Sequence, residues 1–140
     1  MTSLVTARDG IVQVLQELFP EGSEFEATDH AKKHEVKALQ DGFPRGAVFP
    51  GGLKTERIAR GRFHRRVTTF VLIRAKCEAG LEFPTVDDFH AFVELVQEAI
   101  EGIVSPVKVT DAQIEIPIDQ EEFTEFGIST ALLKVETYHE

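Results

Sequence analysis

The chain has 140 residues, of which 42% are hydrophobic and 28% charged, and its formal net charge at pH 7 is −9. These proportions are typical of one globular domain and exclude a disordered chain. The longest uninterrupted apolar run, residues 70–73, is far too short for a membrane-spanning helix. The N-terminus shows no secretory signal, and the single cysteine, Cys77, excludes an intramolecular disulfide. We therefore expect folding in a reducing, cytosolic environment, which also fits an extracellular particle that is assembled inside a cell.

The charge is segregated along the sequence. Residues 1–31 contain six acidic side chains and one basic one, and residues 77–140 contain fifteen acidic and two basic ones. Residues 32–76 reverse this balance, with twelve basic and three acidic side chains. A basic middle segment in an acidic chain predicts a surface that binds something anionic, either a nucleic acid or the acidic face of another copy.

The first predicted element is a helix with Thr6 as its N-cap, ending before Pro20 and Gly22. Its apolar residues recur at helical spacing: Leu4, Ile11, Val14 or Leu15, and Leu18. Residues 21–31 are predicted as an acidic loop anchored by Phe25. Residues 29–40 fit a short helix with Val36 and Leu39 inward, or a strand over 35–39, and the pattern leaves both open.

Glycine and proline mark residues 41–52, which contain four glycines and two prolines. Glycine allows positive φ angles and proline lacks a backbone donor, so this segment is predicted as a long loop. Residues 53–59 and 65–76 then indicate two antiparallel strands around a basic turn, that is, a hairpin over 53–76. Residues 67–73 are the strongest strand, because they are rich in β-branched and aromatic side chains.

A second helix is predicted from Thr85 to Pro106, with Asp87 and Asp88 in its first turn. Its inward face is predicted from apolar residues at helical spacing: Phe89, Phe92, Val93, Val96, Ile100 and Val104. Two strands follow, one through residues 114–118, at a sheet edge because of Pro117, and one over residues 128–137. The expected fold is a single α+β domain, residues 1–140. Its antiparallel or mixed sheet of four or slightly more strands carries two main helices on one face.

Conventional catalytic or metal-binding motifs are weak in this sequence. His30 and His34 share the spacing of zinc ligands on a helix, but two lysines lie between them and no third ligand is suitably placed. Asp87, Asp88 and His90 are explained by the start of a helix. The acidic residues at 121, 122 and 125 fit a solvated turn. The sequence predicts no catalytic residue, no bound metal and no cofactor.

The basic segment is the strongest candidate for a functional site. Six side chains fall within ten residues: Arg57, Arg60, Arg62, His64, Arg65 and Arg66. At a hairpin tip they would present several guanidinium groups, which bind carboxylates and phosphates through paired hydrogen bonds. The acidic remainder of the chain favours contact with a neighbouring identical subunit. Contact with DNA is one alternative, and it predicts salt-sensitive binding. A hairpin tip that is only solvated is the other alternative.

The order of elements resembles that of the tail-terminator (tail-completion) proteins of long-tailed bacteriophages. The matching elements are an amphipathic N-terminal helix, a Gly/Pro-rich loop, a basic hairpin leading into 67–76, a helix over 86–104 and two C-terminal strands, the last over 128–136. The resemblance implies a structural protein, not an enzyme. It forms a homohexameric ring that caps the tail tube and joins the head connector, with loops facing a channel through which DNA passes.

The resemblance also implies partners and a location. The partners are other copies of the chain, the tail tube protein and the head-connector proteins. The protein would be assembled in the host cytoplasm and end in the virion, without contact with a membrane. Two alternatives of other classes remain: a small nucleic-acid-binding module that uses the hairpin, and a small hydrolase or nuclease that uses His30, His34 and nearby carboxylates.

Overall fold

A five-stranded sheet lies at the centre of the protein in a computed structural model, which describes residues 3–19, 23–116, 123 and 125–139. The helices are α1 (Ser3–Leu18) and α2 (Val86–Glu101), with a short 3₁₀ helix at Val36–Leu39. The strands are β1 (Glu24–Ala27), β2 (Arg45–Ala59), β3 (Arg62–Lys76), β4 (Lys108–Glu115) and β5 (Ile128–His139).

The strands lie in the order β1-β2-β3-β5-β4. β1 is parallel to β2, and every other neighbouring pair is antiparallel. The predicted α+β fold, with a mixed sheet and two main helices, is confirmed. β4 is an edge strand, as predicted, but it covers Lys108–Glu115, so the strand expected through residues 114–118 begins and ends earlier. Pro117 itself lies outside the described residues.

Both helices cover the same face of the sheet. Successive strand residues point to opposite faces, and the buried set on this face includes Val71 and Ile73 of β3 and Leu133 of β5. The helices contribute a matching apolar set: Ile11, Val12 and Leu15 from α1, and Phe89, Val93, Val96 and Ile100 from α2. α1 contacts β1, β2 and β3, whereas α2 contacts β4 and β5.

The start of α2 carries a reciprocal cap. Asp88 donates its backbone N–H to Thr85 Oγ1 over 3.3 Å, and its Oδ2 accepts from the Thr85 N–H over 3.1 Å. This capping box satisfies backbone donors that the helix leaves without partners. Asp88 therefore has a defined structural role at the start of α2, as the sequence predicted.

Phe92 packs against the core, as predicted, although it is only half-buried. Three other predicted positions on the helices are wrong. Val104 is exposed because α2 ends at Glu101, with Gly102 as its C-cap. Leu18 is also exposed, on the last turn of α1. α1 begins at Ser3, so Thr6 lies within the helix and is not its N-cap.

The loop predicted over residues 41–52 is shorter than expected, because β2 begins at Arg45. Gly42 has a φ of 82°, which fits a turn, whereas Gly46 and Gly51 serve close packing. A Cβ on Gly46 would lie 2.4 Å from Phe25 Cδ1, and one on Gly51 would lie 2.5 Å from Phe70 Cε2. The acidic loop predicted over 21–31 likewise contains β1, whose Phe25 is buried beside Gly46. The rings of Phe25 and Phe70 thus occupy the space that a side chain at residue 46 or 51 would need.

Residues 28–44 reach the other face of the sheet. Arg74 of β3 is buried there and donates a hydrogen bond to the His34 carbonyl, while Leu39 is buried. Only Val36–Leu39 is helical in this segment, so neither the longer helix nor the strand expected here forms. Within the described residues, neither helix is long and apolar enough to span a membrane.

Side chains and loop carbonyls satisfy backbone groups along both outer strands. On β1, the Glu24 and Thr28 N–H groups point to β2, so the Phe25 carbonyl points outward, where Gln16 of α1 donates to it over 2.9 Å. On β4, Gln97 of α2 donates to the Ala112 carbonyl over 2.9 Å. The Val109 N–H bonds to the Ile103 carbonyl over 3.1 Å. Such contacts make an edge less able to pair with another chain.

Candidate interaction site

The hairpin of β2 and β3 extends beyond the rest of the sheet. We call its outer part, residues 53–66, the basic arm. β1 ends where Ala27 pairs with Val48, and β5 ends where His139 pairs with Arg65. Residues 56–64 therefore pair only with each other, and no other strand that the structure describes lies beside them. At about 3.4 Å per residue, the arm projects roughly 15 Å beyond the end of β5.

A tight turn closes the arm. Ala59 pairs with Arg62, which leaves Arg60 and Gly61 as the two connecting residues. Gly61 has a φ of 76°, a left-handed conformation that glycine adopts without steric cost. A register shift between Arg57 and Ala59 adds an irregularity just before the turn. The sequence -Arg-Gly- therefore fixes a two-residue turn, with arginine at its tip.

The arginines lie on both faces of the arm. Arg65 has the same parity as Val67 and Val71, which face the helices, and Arg57 is on that side because it pairs with Phe63. Arg62 and Arg66 alternate with these residues and point to the opposite face. Arg60 occupies the turn. The predicted cluster is thus not one flat patch but a two-sided projection that can contact anionic groups on either side.

The arm arginines differ from the arginines of the body. Arg8 forms ion pairs with Asp9 and Asp29 at 2.9 and 3.1 Å, and Arg45 lies 2.6 Å from Asp41. The five arm arginines are exposed, as expected. Among the described residues, none of the five donates a side-chain hydrogen bond or forms an ion pair. Their charges are therefore available to an external partner.

Electrostatics within the arm are dominated by positive charge. Lys54 pairs directly with Arg66 across the two strands, an arrangement of like charges that destabilises a sheet. Glu56 is the only acidic residue of the arm. Its pKa is lowered, first by a hydrogen bond and the charge of Lys54 at 3.1 Å and then by Arg66. This carboxylate is thus already engaged.

His64 is held against the body of the protein. It is half-buried, and its ring meets the edge of Tyr138 at a centroid distance of 4.7 Å. It pairs across the hairpin with Glu56. Unlike the exposed arginines, His64 therefore has packing that explains its presence, and its predicted place in the interaction site remains a prediction.

Apolar side chains accompany the arginines, and the sequence pattern alone did not identify Leu53 and Ile58 as exposed. Leu53, Ile58 and Phe63 are 47%, 50% and 50% exposed. Ile58 and Phe63 also line a shallow depression at the tip, together with Gly61, Arg62 and His64. Exposed apolar residues beside arginines are typical of protein interfaces. The sequence showed only that apolar residues continue among the arginines; where β5 ends, which exposes them, is visible only in the structure.

The alternative site at His30 and His34 does not have the helical geometry that its residue spacing would need. No helix contains both His30 and His34, so the four-residue spacing does not place them on one helical face. His34 is half-buried, and its Nε2 lies 3.0 Å from Glu26 Oε1. Burial lowers the pKa of His34, although Glu26 opposes this effect. The described residues contain no group of three His, Cys, Asp or Glu side chains arranged to hold a metal ion; residues 121 and 122 lie outside them.

Cys77 also lacks the features of a reactive cysteine. Burial raises the pKa of its thiol, and Sγ lies 3.5 Å from Ser129 Oγ. The thiolate that nucleophilic chemistry requires is therefore disfavoured.

The basic arm remains the most distinctive surface of the described chain. No protein-family model matches this sequence, and no curated protein matches it either.

Proposed function

We propose that this protein is a structural subunit that assembles into a ring of identical copies through the basic arm, as the tail-terminator proteins of long-tailed bacteriophages do. The observation that carries the proposal is the projecting hairpin, on which five exposed arginines form no ion pair with the described part of the chain and three apolar side chains are about half exposed. These arginines and apolar side chains are not buried against the described part of the chain. A partner surface would bury them.

The charge of the chain supports an identical partner. Outside residues 32–76 the sequence is strongly acidic, so every copy offers carboxylates that arginine can bind in bidentate geometry. The arm and the acidic surface are different parts of one molecule. A contact between them is head-to-tail, and repetition of a head-to-tail contact generates a ring when the rotation closes.

The order of the elements supports the phage assignment. Helix, basic hairpin, helix and two C-terminal strands follow one another as in the family that the sequence resembles. In this proposal the protein acts by contact and not by catalysis. The ring closes the tail tube, joins the head-connector proteins and surrounds passing DNA. It is assembled in the host cytoplasm and remains in the virion.

Light scattering coupled to size-exclusion chromatography tests the proposal. We expect the mass to rise with concentration from 15.6 kDa toward six times that value. The variant Arg62→Glu/Arg65→Glu removes one arginine from each face of the arm and should remain monomeric. Lys37→Glu/Lys108→Glu, on exposed residues of the body, makes the same change of charge and should assemble normally. A wild-type monomer at every concentration would refute ring formation.

Folding of the arm variant must be checked in parallel. Substitutions at exposed positions usually change the free energy of unfolding by no more than about 0.5 kcal/mol. Thermal unfolding of Arg62→Glu/Arg65→Glu should therefore match the wild type. An unfolded variant would show that these arginines are internal partners, which contradicts their assignment to an interface.

DNA binding is the second candidate, and the shape of the arm favours it. A two-stranded β-ribbon fits the major groove of DNA, and arginines on both faces could reach phosphates on both sides of the groove. This function predicts an affinity for duplex DNA that falls steeply as salt rises. Loss of that affinity in Arg62→Glu/Arg65→Glu, with an unchanged mass, would favour this candidate over ring assembly.

A further inference from the structure

The outer face of α2 has the chemistry to receive the basic arm. Its exposed stripe carries Asp87, Glu94, Glu98 and Glu101, and α2 contains no lysine or arginine. At 100° per residue these four acidic residues fall within a narrow sector of the helix. Leu95 lies beside them and is 56% exposed. The stripe thus combines carboxylates with an exposed apolar side chain, as the arm combines arginines with Phe63.

The stability of α2 does not explain these carboxylates. Glu98 and Glu101 lie in the last turn, where the helix dipole favours positive charge. Glu94 and Glu98 are four residues apart, and Glu98 and Glu101 are three apart. Like charges at these spacings destabilise a helix by about 0.2–0.5 kcal/mol per pair. The acidic residues at the start of α2 assist the helix, whereas those in its second half oppose it.

The two surfaces belong to different flanks of the protein. α2 covers β4 and β5, whereas the arm continues β2 and β3 beyond the end of β5. Within the described part of the chain, no ion pair joins the arm to α2. Two complementary surfaces that do not meet within one copy can meet between copies.

We propose that the basic arm of one copy binds the stripe formed by Glu94, Leu95, Glu98 and Glu101 on α2 of the next copy. This inference rests on the proposed ring and identifies the surface that receives the arm. Each copy then acts once as donor and once as receiver, so the contact is heterologous and continues around the assembly. Carboxylates of α2 bind the arm guanidinium groups, while Leu95 covers part of the exposed apolar surface of the arm.

A charge-swap experiment tests the contact. Glu94→Lys/Glu98→Lys reverses the stripe and should lower assembly at least about tenfold in concentration, as measured by light scattering. Arg62→Glu/Arg65→Glu should do the same from the other side. The variant that combines all four substitutions should recover assembly, because each surface then carries the charge that its partner has lost. Glu17→Lys/Glu35→Lys, at exposed acidic positions elsewhere, is the matched control and should assemble as the wild type.

Unfolding measurements separate assembly from folding. Because Glu98→Lys places a positive charge in the last turn of α2, we expect the monomer of the stripe variant to be as stable as the wild type or slightly more stable. A variant that folds well and fails to assemble supports a role of the stripe in docking. A variant that loses its fold contradicts the argument that these carboxylates oppose helix stability.

The remaining outcomes distinguish this inference from the proposed function. Normal assembly of Glu94→Lys/Glu98→Lys, with failure of the arm variant, overturns the α2 contact and leaves ring formation through the arm intact. Failure of both variants without recovery in the combined variant also overturns the pairing of the two surfaces. A wild-type protein that stays monomeric refutes the proposed function itself.

Discussion

Truncation of Phe89 to alanine should destabilise the protein by about 3–5 kcal/mol. Phe89 is fully buried, and its ring meets Phe83 edge-on at a centroid distance of 5.6 Å. A buried phenylalanine removes about 150–250 Å² from water. At about 25 cal/mol per Å², the part lost on truncation contributes roughly 3 kcal/mol before the remaining cavity is counted. Loss of the edge-on contact adds to this value.

Phe92 is the matched comparison, three residues along the same helix. It is half-buried, and it contacts Phe19 and Phe83 at centroid distances of 5.5 and 5.4 Å. Because less of its surface leaves water, Phe92→Ala should cost about 1–2 kcal/mol. Urea unfolding of both variants at equal m-value gives the two free energies directly. An equal or larger loss for Phe92→Ala would show that the inward face of α2 has been assigned wrongly.

Three further predictions concern the cap, the acid response and metals. Thr85→Ala should cost about 0.5–2 kcal/mol in urea unfolding, because it removes the side-chain half of the α2 capping box; no measurable loss would contradict the cap. The pKa of Glu26 is lowered, chiefly by a hydrogen bond from Lys32, and burial lowers that of His34. Each group therefore stabilises the fold at pH values above its unfolded pKa. As the pH is lowered, the free energy of unfolding should decrease first below about 6.5, through His34, and then below about 4.5, through Glu26. In Glu26→Gln the lower part of this decline should be weaker, and an unchanged profile would argue against the contact. A metal chelator should leave the thermal unfolding curve unchanged, since the sequence offers no convincing set of ligands, and a lowered midpoint would revive His30 and His34 as ligands.

The elements with strong local patterns were predictable from sequence. β3 is dense in β-branched residues, and α2 has a cap at Thr85 followed by an apolar stripe, so local preference and tertiary packing agree. β1 and the first part of β2 were missed for a physical reason. Gly46 and Pro50 weaken a strand locally, and only the parallel pairing with residues 24–27 and the ring of Phe25 make an extended strand favourable there.

The candidate site was predictable in location but not in geometry. Clustered arginines identify a charged surface whatever the fold. Their division between two faces depends on the register of β2 and β3, which includes a shift between Arg57 and Ala59. The number and spacing of charged residues in the sequence do not indicate how β2 and β3 are paired. The exposure of Ile58 likewise depends on where β5 ends, a long-range property of the sheet.

The outer edges of the sheet are not equally covered, and this difference affects aggregation at high protein concentration. β1 and β4 have side-chain or loop contacts to their backbone groups, whereas β2 continues past β1 for eleven residues, from Phe49 to Ala59. Two such edges could pair with each other and form unwanted sheets. The like charges of two approaching arms oppose that pairing at low salt. At 1 M salt the screening length shrinks to about 3 Å, so strong salt should promote arm-to-arm aggregation while it weakens contacts between the arm and acidic surfaces.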